Sequence, residues 1–109
     1  MLIKFEEMNT THLTNFYGGD KELSAKMYRD ECNKILKGTL IPGANIGLHR
    51  HETSSEIIFV LSGEGSVLCD GKIELLKVGD CHYCKKGSEH SLRNDGAENL
   101  VFYAVVPEQ

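Results

Sequence analysis

The segment "GANIGLHRHETSSEIIFVLSG", residues 43–63, decides the fold because it predicts both strands and a site. His49 and His51 are separated by one residue, so on a β-strand both side chains project to the same face. The polar stretch 52–55 is prone to turn, which lets Glu56 begin the next strand beside the two histidines. The segment predicts either a site that gathers two imidazoles and a carboxylate, or an ordinary polar surface hairpin.

A further histidine lies in "KKGSEHSLRN", residues 85–94, and a strand there can bring His90 to the same place. Three imidazoles and one carboxylate suit a borderline divalent transition ion such as Zn, Fe(II), Mn, Ni or Cu. The alternative is that His90 is a stray histidine unrelated to the hairpin.

Short apolar or alternating runs separated by turn signals fill the chain from Tyr28 onward. This spacing predicts an all-β sandwich or barrel. Asp70-Gly71 is the clearest hairpin turn, because a type I′ turn needs positive φ at both central residues. No amphipathic helix of 10–15 residues separates the strands, which argues against a parallel α/β sheet.

The first two dozen residues differ from the rest of the chain. The stretch "MNTTHLTNFYGGD", residues 8–20, is rich in turn formers and predicts irregular structure. A short helix is expected around Lys21 to Met27. The chain is therefore divided into an N-terminal segment, residues 1–27, and a strand-rich domain, residues 28–109.

Two runs, "IIFVL" at 57–61 and "LVFYAVV" at 100–106, are apolar at odd and at even positions alike, so both faces of each strand are apolar. Strands of this kind are covered on both faces. One face can line the core, and the other can be covered by the N-terminal segment or by a second copy of the chain. The two runs therefore favour a homodimer, unless the N-terminal segment provides all of the cover.

Both histidine-containing stretches resemble motifs of the cupin superfamily. The first motif is matched throughout by Gly43, His49, His51, Glu56 and Gly63. The second is matched by Gly79, Gly87, His90 and Asn94, with Lys85 in place of the usual proline. The 15 residues from 64 to 78 separate the motifs, a short spacing typical of small cupins.

The resemblance implies a small antiparallel jelly-roll barrel, or double-stranded β-helix, over residues 28–109, with a mostly irregular N-terminal segment. It implies one divalent metal ion inside the barrel, held by His49, His51, Glu56 and His90, a small organic ligand at the barrel mouth, and pairing of two chains as a homodimer.

Two classes of function remain open at a metal site of this kind. The ion can act as a Lewis acid in isomerase, epimerase or lyase chemistry, or as Fe(II) in a dioxygenase. The alternative is a non-catalytic module that binds or senses a sugar or an organic acid. The acid–base candidates Tyr83, Tyr103, Arg29 and Glu31 are suggested by residue type alone, and no catalytic residue is assigned.

Composition narrows the remaining possibilities. A formal charge of −4 argues against a general binder of nucleic acid or anionic membranes. The longest apolar run has seven residues, against the roughly 20 needed to span a bilayer, and the start of the chain lacks a secretory apolar region. These features predict a cytoplasmic protein.

In that compartment the four cysteines are expected to be thiols and to serve as small buried hydrophobes. They are Cys32, Cys69, Cys81 and Cys84. Cys81 and Cys84 lie in a predicted strand, where positions i and i+3 face opposite sides, which argues against a redox or zinc-ribbon motif. His12 and His82 are expected to be surface or satisfied polar residues.

Overall fold

The computed structural model describes residues 1–109 and consists mainly of β-strands. Ten strands are present: β1 (Thr11–Thr14), β2 (Glu22–Arg29), β3 (Asn33–Leu40), β4 (His49–Arg50), β5 (Glu56–Ser62), β6 (Glu64–Cys69), β7 (Lys72–Lys77), β8 (Cys81–Cys84), β9 (Glu89–Arg93) and β10 (Leu100–Pro107). Two short 3-10 turns, Phe5–Glu7 and Phe16–Gly18, accompany them. No helix in the chain is long and apolar enough to cross a membrane.

The strands form two sheets, and every paired strand is antiparallel. A six-stranded sheet has the order β1-β2-β3-β10-β5-β8, and a four-stranded sheet has the order β4-β9-β6-β7. Neighbours such as β3 and β10 are distant in sequence, so the chain crosses repeatedly between the two sheets. The predicted all-β antiparallel architecture is confirmed.

The core lies between the sheets and is built from alternate residues of each strand. Leu40, Phe102 and Ile58 are almost completely buried and come from three neighbouring strands. Gly38 lies opposite Phe102 in the β3–β10 pair, and a Cβ at Gly38 would stand 2.5 Å from the Phe102 ring. The glycine therefore makes room for the largest side chain of the core.

The hairpin between β6 and β7 forms at Asp70-Gly71, as predicted. Both residues have positive φ, 48° and 80°, as a type I′ turn requires. Gly63, the last residue of the first motif, also has positive φ, and a Cβ there would lie 2.3 Å from the carbonyl oxygen of Asn99. The motif glycine is thus required by backbone conformation and by close approach of another chain segment.

The predicted helix from Lys21 to Met27 is wrong, because these residues form most of strand β2. Leu23 and Ala25 point into the core with the period of two that is typical of a strand, and β2 pairs with β3 over its length. Pairing and burial override the helix propensity of a short segment. The prediction of irregular structure before Tyr28 also missed β1, and the division between residues 27 and 28 falls inside β2.

The outer face of the six-stranded sheet is only partly covered. Phe59 and Leu61 remain 46% and 37% exposed, although they lie in the predicted two-sided apolar run. The N-terminal segment contributes Phe5, whose ring stacks on Tyr103 with centroids 5.5 Å apart. The N-terminal segment therefore supplies only a small part of the expected cover.

Candidate metal centre

The structure brings together the four residues predicted as metal ligands. His49 in β4 lies directly opposite His90 in β9, while Glu56 begins β5 and His51 lies in the loop before it. One donor atom from each of these residues falls within 4.8 Å of the other three. The local turn expected after His51 does place Glu56 beside the histidines.

The carboxylate of Glu56 lies at the centre of this group. Its Oε1 atom is 3.0 Å from Nε2 of His51, 2.9 Å from Nε2 of His90 and 3.8 Å from Nε2 of His49. The Nε2 atoms of His51 and His90 are themselves 3.1 Å apart. The three imidazoles therefore present the same ring nitrogen to one point.

Contacts on the far side of the rings orient two of these histidines and fix the proton position of His49. Nδ1 of His49 is 2.8 Å from the carbonyl oxygen of Gly47, which can only accept, so Nδ1 carries the proton and Nε2 keeps its lone pair. Nδ1 of His51 pairs with the hydroxyl of the buried Ser54 at 3.1 Å. Ring orientation is thus set before any ion arrives.

The tautomer of His90 is set by a chain of contacts that begins at the surface. The carboxylate of Glu74, a half-exposed side chain, accepts a hydrogen bond from Nδ1 of the buried His82 at 2.7 Å. The lone pair of His82 is therefore on Nε2, which accepts from Nδ1 of His90 at 3.0 Å. Consequently Nε2 of His90 is left with its lone pair facing Glu56.

Burial and hydrogen bonding set the charge state of this centre. Burial opposes ionisation of Glu56, but its close contacts with the rings of His49, His51 and His90 hold the pKa of the carboxyl well below its usual range. Burial lowers the pKa of His90, against the opposing effect of Glu56. An ionised carboxylate and neutral imidazoles are the forms that bind a metal ion.

The donor set fits a divalent transition ion. Imidazole suits Zn, Cu, Fe and Ni, carboxylate suits Mn, and a four-ligand set on a five- or six-coordinate ion leaves room for an external ligand. His49, His51, Glu56 and His90 would hold the ion, which would supply Lewis-acid polarisation of a bound oxygen.

The N-terminal segment also contributes to the centre. Tyr17 stacks on His49, with ring centroids 4.2 Å apart and planes inclined by 11°. The turn that carries Tyr17 packs so closely on the next loop that a Cβ at Gly47 would lie 1.9 Å from the carbonyl oxygen of Tyr17. Glycine at position 47 therefore allows the N-terminal segment to reach the histidines.

A cavity of about 420 Å³ opens directly outward from His49 and His51. Its rim carries exposed side chains of both charges, among them Arg29, Glu31 and Arg50. Lys34 lines both this cavity and the narrower recess beside Glu56.

Lys34 is a feature of the site that was not recognised from the sequence. Burial is the main cause that lowers the pKa of its ammonium group. The positive charge of Arg29 lowers this pKa further, whereas the negative charge of Glu56 raises it. Lys34 shares its parity on β3 with the buried Leu36 and Leu40. That alternation was the signal that could have placed Lys34 inside the barrel.

The acid–base candidates named by residue type divide into two groups. Arg29 and Glu31 line the cavity. Tyr83 and Tyr103 are half-exposed, and Tyr103 stacks against Phe5 on the outer face, so neither tyrosine lines the cavity.

The polar residues outside the motifs were predicted with mixed success. His12 is exposed and pairs with Glu22, as expected of a surface residue. His82 is a satisfied polar residue, but its contact with His90 was not foreseen.

Among the cysteines only Cys84 is fully buried, and Cys32 and Cys81 are exposed, so the prediction of buried hydrophobes is wrong for those two.

The second motif forms its turns even with lysine in place of proline. The amide of Ser88 donates to the carbonyl of Lys85 at 2.9 Å and closes the turn before His90. The buried Asn94 donates to the carbonyls of Leu40 and Glu98 at 2.7 and 2.8 Å. The motif asparagine therefore anchors the end of β9, the strand that contains His90, to the core.

Comparison with known proteins supports the same architecture. The family model for the cupin domain matches residues 36–106. A protein of Thermotoga maritima named "Oxalate-binding protein" is 32% identical over 112 residues, which cover 97% of this chain and 93% of the relative.

Solved structures are similar over the whole chain. A crystal structure described as "a predicted oxalate decarboxylase" from Thermotoga maritima superposes with a TM-score of 0.94 at 30% identity, covering 100% of both chains. The cupin domain of Cnp3 from Schizosaccharomyces pombe gives a TM-score of 0.80 at 14% identity, covering 97% of this chain and 72% of that one. The second likeness concerns the fold alone.

Proposed function

Because the chain belongs to the cupin family, we propose that it binds a small dicarboxylate anion such as oxalate at a divalent metal ion. The ion is held by His49, His51, Glu56 and His90. Support comes from the relative named for oxalate binding and from the charges at the base of the cavity.

Charge balance is the observation that carries this proposal. A divalent ion with one carboxylate and three neutral imidazoles retains a charge of about +1. Lys34 adds a second positive charge beside Glu56, and no carboxylate of the chain forms an ion pair with it. A dianion with two carboxylate groups matches both charges, whereas a neutral sugar leaves the half-buried ammonium of Lys34 without a partner.

In this arrangement the chain's own residues position the ligand. Lys34 donates hydrogen bonds to the carboxylate farther from the ion, and Tyr17 holds the His49 ring in place by stacking. The exposed Arg29 at the rim attracts an anion toward the cavity, whereas Arg50 is paired with Glu89.

Metal analysis and calorimetry test the proposal together. We expect about one equivalent of metal per chain, and the His49→Ala, His51→Ala double variant to lose most of it. Lys34→Met should retain the metal and lose at least tenfold in oxalate affinity, because a charge-assisted contact disappears. Lys37→Met, on the same strand, is the matched control and should bind oxalate normally.

The two parts of the proposal fail separately. Full metal content in the double histidine variant contradicts the metal centre. Normal metal content with no heat of oxalate binding, or equal affinity in Lys34→Met and the parent, contradicts the dicarboxylate.

A second candidate is cleavage of the bound dicarboxylate, that is, lyase activity. It is favoured by the likeness to the structure described as a predicted oxalate decarboxylase. Release of carbon dioxide and formate from oxalate by metal-loaded protein tests it. Oxygen consumption by the Fe(II)-loaded protein would instead indicate a dioxygenase, and binding without turnover a sensor or carrier.

We also propose that the protein is a cytoplasmic homodimer. Apolar residues left exposed on the outer face of the six-stranded sheet support the dimer, and the four unpaired thiols are typical of a reducing compartment.

A further inference from the structure

A second cluster of ligand-type side chains lies behind His90, on the side away from the cavity. Cys69 ends β6, and His82 and Cys84 lie in β8. The two sulfur atoms and one ring nitrogen of His82 all lie within 4.8 Å of one another. None of the three is a residue of the cupin motifs or a ligand of the first centre, although His82 supports His90.

The spacing is close to that of a bound ion. In a tetrahedral site, bonds of about 2.3 Å to sulfur and about 2.0 Å to nitrogen place donor atoms roughly 3.5 to 3.8 Å apart. The donor atoms here lie within 4.8 Å of one another, so the cluster needs a contraction of about 1 Å at most. His82 and Cys84 are almost completely buried, whereas Cys69 is partly exposed and provides access from the surface.

The surroundings of the cluster favour a cation. Burial is the main cause that raises the pKa of both thiols, to about 12 for Cys84, and the negative charge of Asp70 adds to this for both residues. Glu74 raises the pKa of Cys69 further. The same negative charges that oppose a thiolate attract a metal ion, which displaces the thiol protons to solvent as it binds.

The contact with Glu74 makes Nε2 the ring nitrogen of His82 that would serve as the third donor. Because the Glu74 carboxylate accepts the proton of Nδ1, the lone pair of His82 lies on Nε2. Carboxylate–histidine–metal arrangements use this same polarity. An ion between the sulfurs takes the lone pair in place of the His90 N–H that now donates to it.

We propose that Cys69, His82 and Cys84 form a second metal site, selective for a thiophilic ion such as zinc or monovalent copper. Two thiolates and one imidazole are the soft donor set for these ions, in contrast to the nitrogen and oxygen donors of the first centre. Because His82 also holds the tautomer of His90, occupation of the second site weakens metal binding at the first.

Sulfur-to-metal charge-transfer absorption distinguishes the two sites, because the first centre has no sulfur ligand. The experiment uses reduced protein carrying Cys32→Ser and Cys81→Ser, which removes both exposed thiols. Addition of Cd²⁺, or of Cu⁺ without oxygen, should give a charge-transfer band that saturates at one equivalent. The same band should persist in the further His49→Ala, His51→Ala variant.

Matched serine variants test the ligands. Cys69→Ser in the same background should lose the band and at least tenfold in Cd²⁺ affinity, with an unchanged unfolding midpoint, because Cys69 is at the barrel surface. Cys84→Ser should lose the band too, but it changes a buried residue, so Cys69→Ser is the deciding variant. Displacement of Cd²⁺ by Zn²⁺ or by Cu⁺ identifies the preferred ion.

Three results would overturn the second metal site. Absence of a charge-transfer band with both ions, or a band that survives in Cys69→Ser, overturns the second site. A band that disappears with the double histidine substitution also overturns it, because the sulfur site would then depend on the first centre. Each of these results leaves the proposed dicarboxylate function untouched.

Discussion

At the scale of single residues, His82 shows how a side chain outside the motifs sets the tautomer of the motif residue His90. It is 1% exposed and links the surface carboxylate of Glu74 to Nδ1 of His90. Hydrogen bonds of this kind hold a metal-binding imidazole in one tautomer and one orientation. Histidine at position 82 therefore has a role that its isolated position in the sequence did not reveal.

We expect His82→Phe to lower the affinity of the first centre for its divalent ion by about 10- to 100-fold, because the ring volume is kept but both hydrogen bonds are lost. Competition with a coloured chelator measures the affinity. His12→Phe, at an exposed histidine, is the control and should change nothing. Equal affinities for the parent and His82→Phe would show that His90 needs no support from His82.

The cysteines give a second prediction at this scale. With its pKa raised to about 12 by burial, only about 10⁻⁴ of the Cys84 thiol is ionised at pH 8. Iodoacetamide should therefore label Cys32 and Cys81 in the folded protein long before Cys84, as followed by peptide mass spectrometry. Labelling of Cys84 at the rate of Cys81 would contradict its burial.

At the scale of the elements, the turn between β2 and β3 depends on Asp30. Its carboxylate accepts from the backbone amides of Cys32 and Asn33 at 2.9 and 2.8 Å, and from the hydroxyl of Tyr28 at 3.1 Å. These contacts hold the pKa of Asp30 below its ordinary value of 3.8. The turn positions β3, and with it Lys34, at the edge of the cavity.

The stabilisation from the Asp30 charge should be pH-dependent. A carboxyl whose pKa is lower in the folded state stabilises the fold above the unfolded pKa, here 3.8, and loses this effect as pH falls through the folded value. Urea unfolding should show Asp30→Asn less stable than the parent at pH 7, with the difference shrinking below pH 4. A difference that does not change with pH would exclude the charge as its cause, and Glu98→Gln is the control.

At the scale of the whole molecule, both sheets leave apolar residues exposed, and the six-stranded sheet presents a pair of aromatic side chains. Phe59 and Tyr103 lie opposite one another in the β5–β10 pair and are 46% and 36% exposed. Apolar surface of this kind in an otherwise charged protein marks an interaction site. A second copy presenting the same face would bury it.

Phe59→Glu should convert the proposed dimer into monomers at micromolar concentration, because it places a charge on the apolar face. Size-exclusion chromatography with light scattering gives the mass directly. Leu75→Glu, at a residue 80% exposed on the other sheet, is the control and should remain dimeric. A monomeric parent protein would disprove the dimer.

Local signals in the sequence were sufficient wherever the backbone alone sets the structure. Alternation and turn residues predicted the strands after Tyr28, and the positive φ of Asp70 and Gly71 confirms the turn predicted from their identity. The helix prediction for the segment from Lys21 to Met27 failed because so short a stretch has no decisive local preference for helix or strand. Its pairing with β3, which is a non-local interaction, determined the outcome.

The sequence by itself predicted an all-β fold from strand alternation, and its resemblance to the cupin motifs predicted the barrel and the four side chains that converge in it. Only the tertiary structure decided what surrounds them. Lys34, His82 and Tyr17 reach the centre from strands and turns that are remote in sequence, through the pairing of β2 with β3, of β5 with β8 and the packing of a turn on Gly47. Strand parity indicates that Lys34 faces inward, but the side chains that it meets there depend on how the two sheets close on each other.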